Sequence, residues 1–418
     1  MKNLLYFEEY ESNLSHELLK RNDINLVILR SKKNMKFFSK EYLELTKKNN
    51  VFISDYEKTI QEEVNRFKNW SKEKKLIPEY FLNDSEFYLE YANEFARKLN
   101  LECLSEEQVR WVRDKVDMKE KFNKIGLKTV DYKPVESKDD VKDFFIKHGS
   151  KRIIFKPRRG MNSIDTYKIE SLEDIENIDV KFKKEKYMVE DFCYDHEWSI
   201  ESLIQDGKVL DSYLTYIPNA TIWATISNDL NCHITVPKIP DYFKFIPKDL
   251  IQAIVSGMKL KNGTMTIEVF INKNGTVMPS ELGWRLPGCQ ATTNHAISYG
   301  IDIYNTLIDI ALKNKVYLKY RNKILSVGDL YLPNKEGIIE DFTSLEELYK
   351  MGNVINGELF IKKGQFNKKR RVGNDSCGWI QVVGSDERES LQIMQNIYDN
   401  FKIVTKEELE KKRYVKKI

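Results

Sequence analysis

The chain has 418 residues, which is long enough for two or three domains with a sizeable buried core. Its apolar share of 41% and charged share of 32% are those of an ordinary globular protein, and a net charge of +4 is too small to indicate a nucleic-acid-binding protein. The five cysteines are scattered and lack CxxC spacing, which argues against a disulfide framework and against a zinc site.

The N-terminal part begins with alternating strands and helices. Its opening residues are too acidic for a signal peptide, and no run is long and apolar enough to suggest a membrane span, so we expect a cytoplasmic protein. Apolar runs at 3–7 and 24–29 flank a helical stretch through 18–21, which predicts a small parallel α/β unit. We expect a further strand at 77–82 and an amphipathic helix at 85–99.

Short helices and strands follow. Ser105, with Gln108 three residues on, predicts a capping box at a helix start, and Gly126 is typical of the position just after a helix. Short strands are expected at 153–155, 187–189 and 199–204, and a helix at 303–312. Beyond Gly337 strands alternate with turns until a helix begins at Ser385.

The most informative segment is 262–288, which predicts a β-hairpin. Asn274-Gly275 is the pair that best tolerates a two-residue turn, and such a turn places Glu268 directly opposite Glu281. Opposed carboxylates repel unless a cation lies between them, and two hard oxygen ligands suit Mg²⁺. Arg285 falls on the same face, where it can hold a phosphate or carboxylate oxygen. The alternative is a solvated hairpin whose acids have no function. Because Arg285 lies on the same face as the two acids, the pattern favours a metal site.

Three other segments carry residues suited to a nucleotide. Lys156 ends an apolar strand and leads into a loop in which Ser163 and backbone N–H groups can cap phosphates. Glu190 and Glu197 follow the next strand, whose end offers backbone groups to a planar base and an acid to ribose hydroxyls. Lys115 stands at the start of a helix. An exposed surface position is the better interpretation of each residue alone, and their order along the chain is what points to one site.

In that order, these segments resemble the ATP-grasp superfamily of carboxylate–amine ligases. The similarity is greatest to the amino-acid (dipeptide) ligase group, and more distant to biotin carboxylase and D-alanine–D-alanine ligase. It extends from about Ser105 to Leu312. It is carried by the helix from Lys115 to Leu127 and by the stretches IIFKPRRG, VEDFCYDHEWSIE and IEVFINKNGTVMPSELGWRLPG.

The resemblance implies an α/β (α+β) protein with a three-part ATP-grasp architecture. The first part would be an N-terminal Rossmann-like α/β domain at 1–105. The second would be an ATP-grasp domain at 106–325, with a small lid subdomain at about 150–215. The third would be a C-terminal α/β subdomain at 326–418, with an antiparallel sheet, that completes the ligase fold.

The resemblance also implies a role for each candidate residue. The ATP contacts would be Lys115, Lys156, Ser163, the adenine-linker acid Glu190, the hinge residues Asp191 and Phe192, and the ribose acid Glu197. The ligands of Mg²⁺, with Mn²⁺ as a substitute, would be Glu268 and Glu281, and the catalytic residues would be Arg285 and Lys156. The acceptor pocket would be lined by His233, Trp223 and Trp284, together with His295 and Tyr299.

The chain departs from the superfamily pattern at three points. The usual Glu-x-Asn-x-Arg has Gly283 in the place of the asparagine, which is the usual third metal ligand. The phosphate loop has the single glycine Gly160. The usual glycine before the ribose acid is replaced by Asp195-His196.

The expected function is an ADP-forming ligase that activates a small carboxylate, an amino acid above all, as an acylphosphate and joins it to an amine. Its partners would be small molecules rather than nucleic acid or membrane, and relatives often form homodimers. Three other hypotheses stay open. One is a ligase for a carrier protein or peptide, which would dock on the basic run at 368–371. The alternative interpretation of that run is a solvated loop without a partner. The other two hypotheses are a biotin-carboxylase-like enzyme and a nucleotide-binding protein without turnover.

Overall fold

The computed structural model describes residues 1–55, 57–149, 151–161, 164–194, 196–219, 224, 228–236, 249–272, 274, 276–321, 325–368 and 376–409. Strands within these residues form four sheets. One is wholly parallel, and the others, including a long sheet of eight strands, are antiparallel. Parallel and antiparallel layers therefore coexist in one chain, as the predicted α/β (α+β) class requires.

The N-terminal part is a four-stranded parallel sheet in the order β3-β2-β1-β4. Its elements are β1 (Lys2–Glu8), α1 (Asn13–Lys20), β2 (Ile24–Ser31), a 3₁₀ helix (Lys32–Phe37), α2 (Lys40–Thr46), β3 (Asn50–Ser54), α3 (Ile60–Glu73), β4 (Tyr80–Asn83) and α4 (Leu89–Lys98). Helices cover both faces of the central strands, which explains their unbroken apolar runs. The predicted parallel α/β unit is confirmed.

The segment between β4 and α4 differs from the prediction of a helix at 85–99. The Ser85 N–H donates to Asn83 Oδ1 at 3.3 Å, and the Tyr88 N–H donates to Ser85 Oγ at 2.9 Å. These side chains hold the backbone in a turn, because short polar side chains compete with helical hydrogen bonds. The helix starts only at Leu89.

Two helices lead from the parallel sheet to the rest of the molecule: α5 (Glu106–Arg113) and α6 (Lys115–Lys124). Ser105 and Gln108 form the predicted reciprocal capping box at the start of α5. Gly126 has φ +85° just beyond α6, a conformation that glycine adopts without strain. Both end signals read from the sequence are therefore confirmed.

A small four-stranded antiparallel sheet follows, in the order β5-β8-β6-β7. Its elements are β5 (Tyr132–Val135), α7 (Lys138–Lys147), β6 (Ile153–Pro157), β7 (Tyr167–Ile169), α8 (Leu172–Glu176) and β8 (Tyr187–Asp191). It has its own core around Phe144, Phe155 and Val189. Lys156 and Glu190 lie near the ends of its two central strands.

The largest sheet has eight antiparallel strands in the order β13-β12-β9-β10-β11-β14-β18-β16. These strands and the helices between them are β9 (His196–Gln205), β10 (Lys208–Ile217), β11 (Asn231–Val236), α9 (Leu250–Gly257), β12 (Gly263–Ile271), β13 (Val277–Gly283), α10 (Ala291–Tyr299), α11 (Ile303–Ala311), β14 (Ser326–Tyr331), β16 (Val354–Leu359) and β18 (Gly378–Gly384). Ile267 and Val269 are fully buried on one face of β12, as the alternation predicts.

The hairpin of β12 and β13 brings the two acids together, but not through the predicted turn. Glu268 lies opposite Glu281, whereas Ile271 next to the turn lies opposite Val277, one residue out of the predicted register. The extra residue is Ser280, which forms a β-bulge. The bulge restores the pairing of the acids.

The predicted two-residue turn at Asn274-Gly275 is therefore wrong. The N–H of Asn272 donates to the carbonyl of Thr276 at 3.1 Å, and Asn272 Oδ1 accepts from the N–H of Thr276 at 2.9 Å. The side chain of Asn272 closes a longer loop, of which residues 273 and 275 lie outside the described part of the chain.

The C-terminal part contains a second small sheet, in the order β17-β15-β19. Its elements are β15 (Gly337–Phe342), α12 (Leu345–Lys350), β17 (Phe366–Asn367), α13 (Glu387–Asn400) and β19 (Ile403–Thr405). Asp386 caps α13 by accepting from the N–H of Glu389 at 2.9 Å. The boundaries proposed at 105 and 325 stay predictions; the large sheet has strands on both sides of residue 325.

Within the described residues, no helix has both the length and the apolar character needed to cross a membrane. All five cysteines belong to the described part and none forms a disulfide.

Candidate active site

A cavity of about 330 Å³ lies between the small sheet, the large sheet and helix α6. Alternate side chains of the large sheet form its floor, because successive residues of a strand point to opposite faces. These floor residues are Glu197, Ser199, Thr215, Ile217, His233, Thr266, Glu268, Phe270 and Glu281. The other walls include Lys115 and Met118 from α6, Ile154 and Lys156 from β6, and Arg285 beyond the hairpin. The structure thus brings most of the predicted site residues to one place.

The lysines contributed by α6 and β6 pair with carboxylates inside this cavity. Lys156 Nζ lies 2.6 Å from both Glu190 Oε1 and Glu281 Oε1. Lys115 Nζ lies 3.1 Å from Glu281 Oε2 and donates to the carbonyl of Gly160 at 3.0 Å. Burial alone would lower the pKa of Lys156, but the two carboxylates raise it above its ordinary value, so this lysine stays charged.

The acidic side of the cavity carries more negative charge than these lysines neutralise. Glu268 is held among carboxylates, and its pKa is raised by burial and then by the charges of Glu197 and Glu281. Burial would also raise the pKa of Glu281, but Lys115 and Lys156 hold it below its usual range. The two opposed acids therefore have opposite tendencies, because the lysines contact Glu281 directly, whereas for Glu268 burial and the neighbouring carboxylates outweigh their more distant effect.

Arg285 is anchored at the edge of the cavity. Its Nε donates to Glu86 Oε2 at 2.8 Å, and Arg113 Nη1 donates to the other oxygen of the same carboxylate at 3.0 Å. A Cβ atom at Gly283 would lie 3.1 Å from Glu86 Oε2. The glycine in place of the usual asparagine therefore leaves room for the Glu86 side chain.

The loop after β6 is fastened to the start of α6 by Asp114. This fully buried carboxylate caps the helix by accepting from the N–H of Val116 at 3.1 Å. It also accepts from Arg158 Nε at 2.9 Å and Arg159 Nε at 3.1 Å. These ion pairs hold the loop so that Gly160 lines the cavity. The loop keeps this position although it has one glycine instead of the several that are usual. Ser163, the predicted phosphate cap, lies outside the described residues.

The predicted adenine hinge lies at the cavity, but its N–H groups are engaged within the protein. The N–H of Asp191 donates to the carbonyl of Asp131 at 2.9 Å, and that of Phe192 donates to the carbonyl of Arg152 at 3.2 Å. The Asp191 side chain pairs with His148 Nδ1 at 2.9 Å. A base at this edge would therefore contact the carbonyl side of the hinge and the apolar walls.

Several residues expected in the acceptor pocket are placed elsewhere. Trp284 is buried in the core against Gly263. His295 lies one layer behind the cavity, with Nδ1 2.7 Å from Glu201 and Nε2 2.9 Å from Thr215. Tyr299 is fully buried and donates to the carbonyl of Val236 at 2.7 Å. The structure does not bring these three to the cavity; His233 does line it, and Trp223 lies outside the described residues.

Two contributors were missed by the sequence reasoning. Lys119 is fully buried, with Nζ 3.1 Å from Glu190 Oε2, and burial lowers its pKa against the opposing charge of Glu190. Its position four residues after Lys115 places both on one face of α6, which is a signal that the sequence contains. Glu86 gives no such signal, because its partners Arg113 and Arg285 come from distant segments.

The residues present fit both groups that the resemblance implies. Hard carboxylate oxygens of Glu268 and Glu281 suit Mg²⁺. Burial and then the charges of Glu197 and Glu281 raise the pKa of Glu268, and a dication would offset those neighbouring charges. At the other side of the cavity, Lys115 and Lys156 suit phosphate oxygens. Apolar walls from Met118, Ile154 and Phe192 suit a planar base.

Comparisons with known proteins point the same way. No protein-family model matches the chain. An L-arginine-specific L-amino acid ligase of Bacillus subtilis is 22% identical over 241 residues, which cover 55% of this chain and 57% of that protein. The match thus spans a little over half the length of this curated relative.

Solved structures are similar over nearly the whole chain. An L-amino acid ligase from Bacillus licheniformis superposes with a TM-score of 0.77 and 16% identity, covering 97% of this chain and 99% of that one. The biotin carboxylase domain of the 2-oxoglutarate carboxylase of Hydrogenobacter thermophilus, solved with MgADP, ADP and bicarbonate, gives 0.65 and 14%, covering 97% and 91%. The chain therefore has the ATP-grasp fold of the carboxylate–amine ligases that its motifs resemble.

Proposed function

We propose that the protein is an ATP-dependent, ADP-forming ligase that activates an amino acid as an acylphosphate and joins it to an amine. The observation that carries this proposal is the pair of opposed acids, Glu268 and Glu281, on the floor of a cavity whose walls hold Lys115, Lys156 and Arg285. A protein that only bound a nucleotide would gain little from two half-buried carboxylates in register. A phosphoryl-transfer enzyme needs them to hold its metal.

Each group has a defined task in this proposal. A carboxylate resists attack by an amine, because its leaving group would be oxide; phosphorylation supplies a better leaving group. Glu268 and Glu281 would hold Mg²⁺, which would neutralise charge on the transferring phosphate. Lys115 and Lys156 exchange their carboxylate partners for phosphate oxygens, which keeps them charged and positioned. Lys119 keeps Glu190 in place behind them.

Arg285 is the proposed partner of the oxyanion that forms when the amine attacks. It is preorganised, because Glu86 fixes its Nε and its Nη1 donates to the carbonyl of Leu286 at 2.7 Å. Preorganised donors stabilise a developing charge without reorganisation at the moment of reaction. Water must be excluded meanwhile. We expect the loop anchored by Asp114 to do this, because its residues Gly160 and Met161 line the cavity.

The proposal is tested by measuring phosphate release from ATP and Mg²⁺ across pairs of common amino acids. L-arginine belongs in the panel because a relative is specific for it. We expect release that depends on a particular pair and that falls by at least about a thousandfold in Glu281→Gln. The matched control is Glu44→Gln, an exposed acid far along the chain, which should leave the rate unchanged.

Other results would redirect the assignment. Release with bicarbonate but with no amino acid would indicate a carboxylase, as in the Hydrogenobacter domain. Tight Mg·ATP binding without release for any free acid would indicate a carrier-bound substrate or a sensor. Full activity in Glu281→Gln would overturn the metal assignment itself.

A further inference from the structure

A second group of metal-binding side chains lies at the cavity, and it shares no residue with the carboxylate pair of the hairpin. One donor atom from each of His233, Asp329 and Cys289 lies within 4.8 Å of the other two. His233 and Cys289 both line the cavity. The three come from β11, β14 and the loop before α10, so the fold, rather than a short sequence motif, assembles them.

Two of the three side chains are held rigidly. His233 Nδ1 lies 3.0 Å from Asp329 Oδ2, and Asp329 is fully buried. The other oxygen of Asp329 accepts from Asn294 Nδ2 at 2.6 Å, and Asn294 in turn accepts from Gln381 Nε2 at 2.7 Å. Supporting hydrogen bonds of this kind orient the ligands at metal sites.

The third residue, Cys289, occupies an unusual backbone conformation. Its φ is +60°, in the left-handed region that residues with a side chain rarely adopt. Its side chain is exposed at the mouth of the cavity, where Gly288 and Pro287 also lie. Strained conformations of this sort persist where the surrounding structure fixes them, often at functional sites. Here the strain accompanies a thiol placed beside an imidazole.

We propose that His233, Asp329 and Cys289 form a binding site for a thiophilic divalent cation, namely Zn²⁺, with its fourth position open to the cavity. A thiolate, an imidazole and a carboxylate are the donors that zinc prefers, whereas Mg²⁺ takes oxygen ligands only. The cation would therefore be distinguished from the one at Glu268 and Glu281 by its chemistry as well as by its ligands.

The geometry is close to what zinc needs. Two ligands bound at about 2.0–2.1 Å in a tetrahedral arrangement lie about 3.3 Å apart, and the observed distance from His233 Nδ1 to Asp329 Oδ2 is 3.0 Å. A cation would replace the proton that these atoms share. A shift of about 1 Å in the exposed Cys289 side chain would complete the set of ligands.

The site has a consequence for turnover that rests on the proposed function. Zinc bound at His233 would occupy the side of the cavity where the acceptor is expected, so it would inhibit the ligase reversibly. Binding of the ion itself does not depend on that function. The two statements can therefore fail separately.

The test is a zinc titration of the full-length protein against a chromophoric chelator, in excess Mg²⁺ so that the carboxylate pair is saturated. We expect one zinc per chain. In both Cys289→Ser and Asp329→Asn the loss of affinity should exceed the loss of about 10- to 100-fold that follows removal of a residue supporting a metal ligand. Cys193→Ser is the matched control, because Cys193 lines the same cavity without belonging to the group, and its affinity for zinc should be unchanged. Co²⁺ should give a thiolate charge-transfer band that Cys289→Ser loses.

Three outcomes would overturn the proposal: Cys289→Ser binding zinc as tightly as the parent, a Co²⁺ complex without a thiolate band, or affinity lost in Glu281→Gln instead. Cys289 is exposed, so its variant should fold even if Asp329→Asn does not, and thermal unfolding checks this. If the ligase activity is established, zinc should inhibit the parent at least tenfold more strongly than Cys289→Ser.

Discussion

Gly283 shows how one residue can decide the composition of this site. A side chain at this position would meet Glu86, which binds Arg113 and Arg285 through its two oxygens. The usual asparagine and this acid therefore compete for the same space. In this chain the carboxylate of Glu86 occupies that space and binds Arg285. There is no asparagine at position 283 to act as a third metal ligand beside it.

The variant Gly283→Asn tests this steric argument. Although it restores the common motif, we expect it to displace Glu86 and to leave two largely buried arginines without their partner. The cost should be about 3 kcal/mol of stability and at least about tenfold in turnover, measured by urea unfolding and phosphate release. Gly288→Ala is the control for stability, because an added methyl group meets nothing there within 4 Å. Equal stability of Gly283→Asn and the parent would contradict the argument.

Lys119 illustrates a buried charge that acts through its partner. Lys119→Met would leave Glu190 with Lys156 as its remaining cationic contact among those described here. Breaking a buried pair in this way costs about 3–5 kcal/mol. The double variant with Glu190→Gln should lose less than the sum of the two single losses. Exposed Lys124→Met on the same helix should change stability by no more than about 0.5 kcal/mol. Additive losses in urea unfolding would count against the pairing.

At the scale of single strands and helices, local features such as a β-bulge and a helix cap set the positions of the site residues. The bulge at Ser280 brings Glu281 opposite Glu268 although the turn is longer than the alternation suggests. Its carbonyl accepts from Lys119 at 3.4 Å, so the bulge also contacts helix α6. The start of α6 is a second such point, because Asp114 joins the helix cap to the loop after β6.

Asp114 separates two effects that can be measured independently. Asp114→Asn keeps an oxygen for the helix cap but removes the charge that holds Arg158 and Arg159; we expect a loss of about 3 kcal/mol and a raised KM for ATP. Asp114→Ala should cost about 1 kcal/mol more, because the cap is also lost. Ser137→Ala removes the cap of α7 alone and should cost about 1 kcal/mol. All three losses of stability are measured by urea unfolding. Equal losses in Asp114→Asn and Asp114→Ala would show that the charge and the helix cap are not separate contributions.

At the scale of the whole molecule, the parallel sheet packs against helices α10 and α11, which follow the hairpin of β12 and β13. A single apolar cluster contains Leu4 and Ile28 of that sheet together with Tyr299 and Ile308. At the edge of the cluster, Asp84 Oδ1 accepts from the N–H of Leu286 at 2.7 Å, next to Arg285. The contact between Asp84 and Leu286 therefore also fixes the backbone next to Arg285.

Asp84 should make stability depend on pH. Burial raises its pKa to about 7, against the lowering effects of the Leu286 N–H and of Arg285. Because its pKa in the unfolded chain is near about 3.9, the native state retains a proton that the unfolded state has lost, and stability falls as pH rises from about 4 through about 7. We expect the parent to lose about 1–2 kcal/mol more than Asp84→Asn between pH 5 and pH 7. Calorimetric curves that stay parallel would contradict this.

The sequence by itself determined the structural features that depend on residues close together along the chain. Alternation in β12, the capping box at Ser105 and the glycine after α6 were all readable, because each reflects contacts within a few positions. The order of the motifs then indicated the fold, and most of the residues predicted from those motifs line the cavity. These features need no knowledge of distant segments.

Tertiary structure decided the rest. The pairing of Lys156 with Glu190 and Glu281, the contact of Glu86 with Arg285, and the burial of Trp284 and His295 away from the cavity all join distant segments. Spacing along the chain argued against zinc, yet the fold brings Cys289 to within 4.8 Å of His233. A side chain selects its partner from whatever the packing places within a few ångströms, and that selection is made by the assembled sheets rather than by the local sequence.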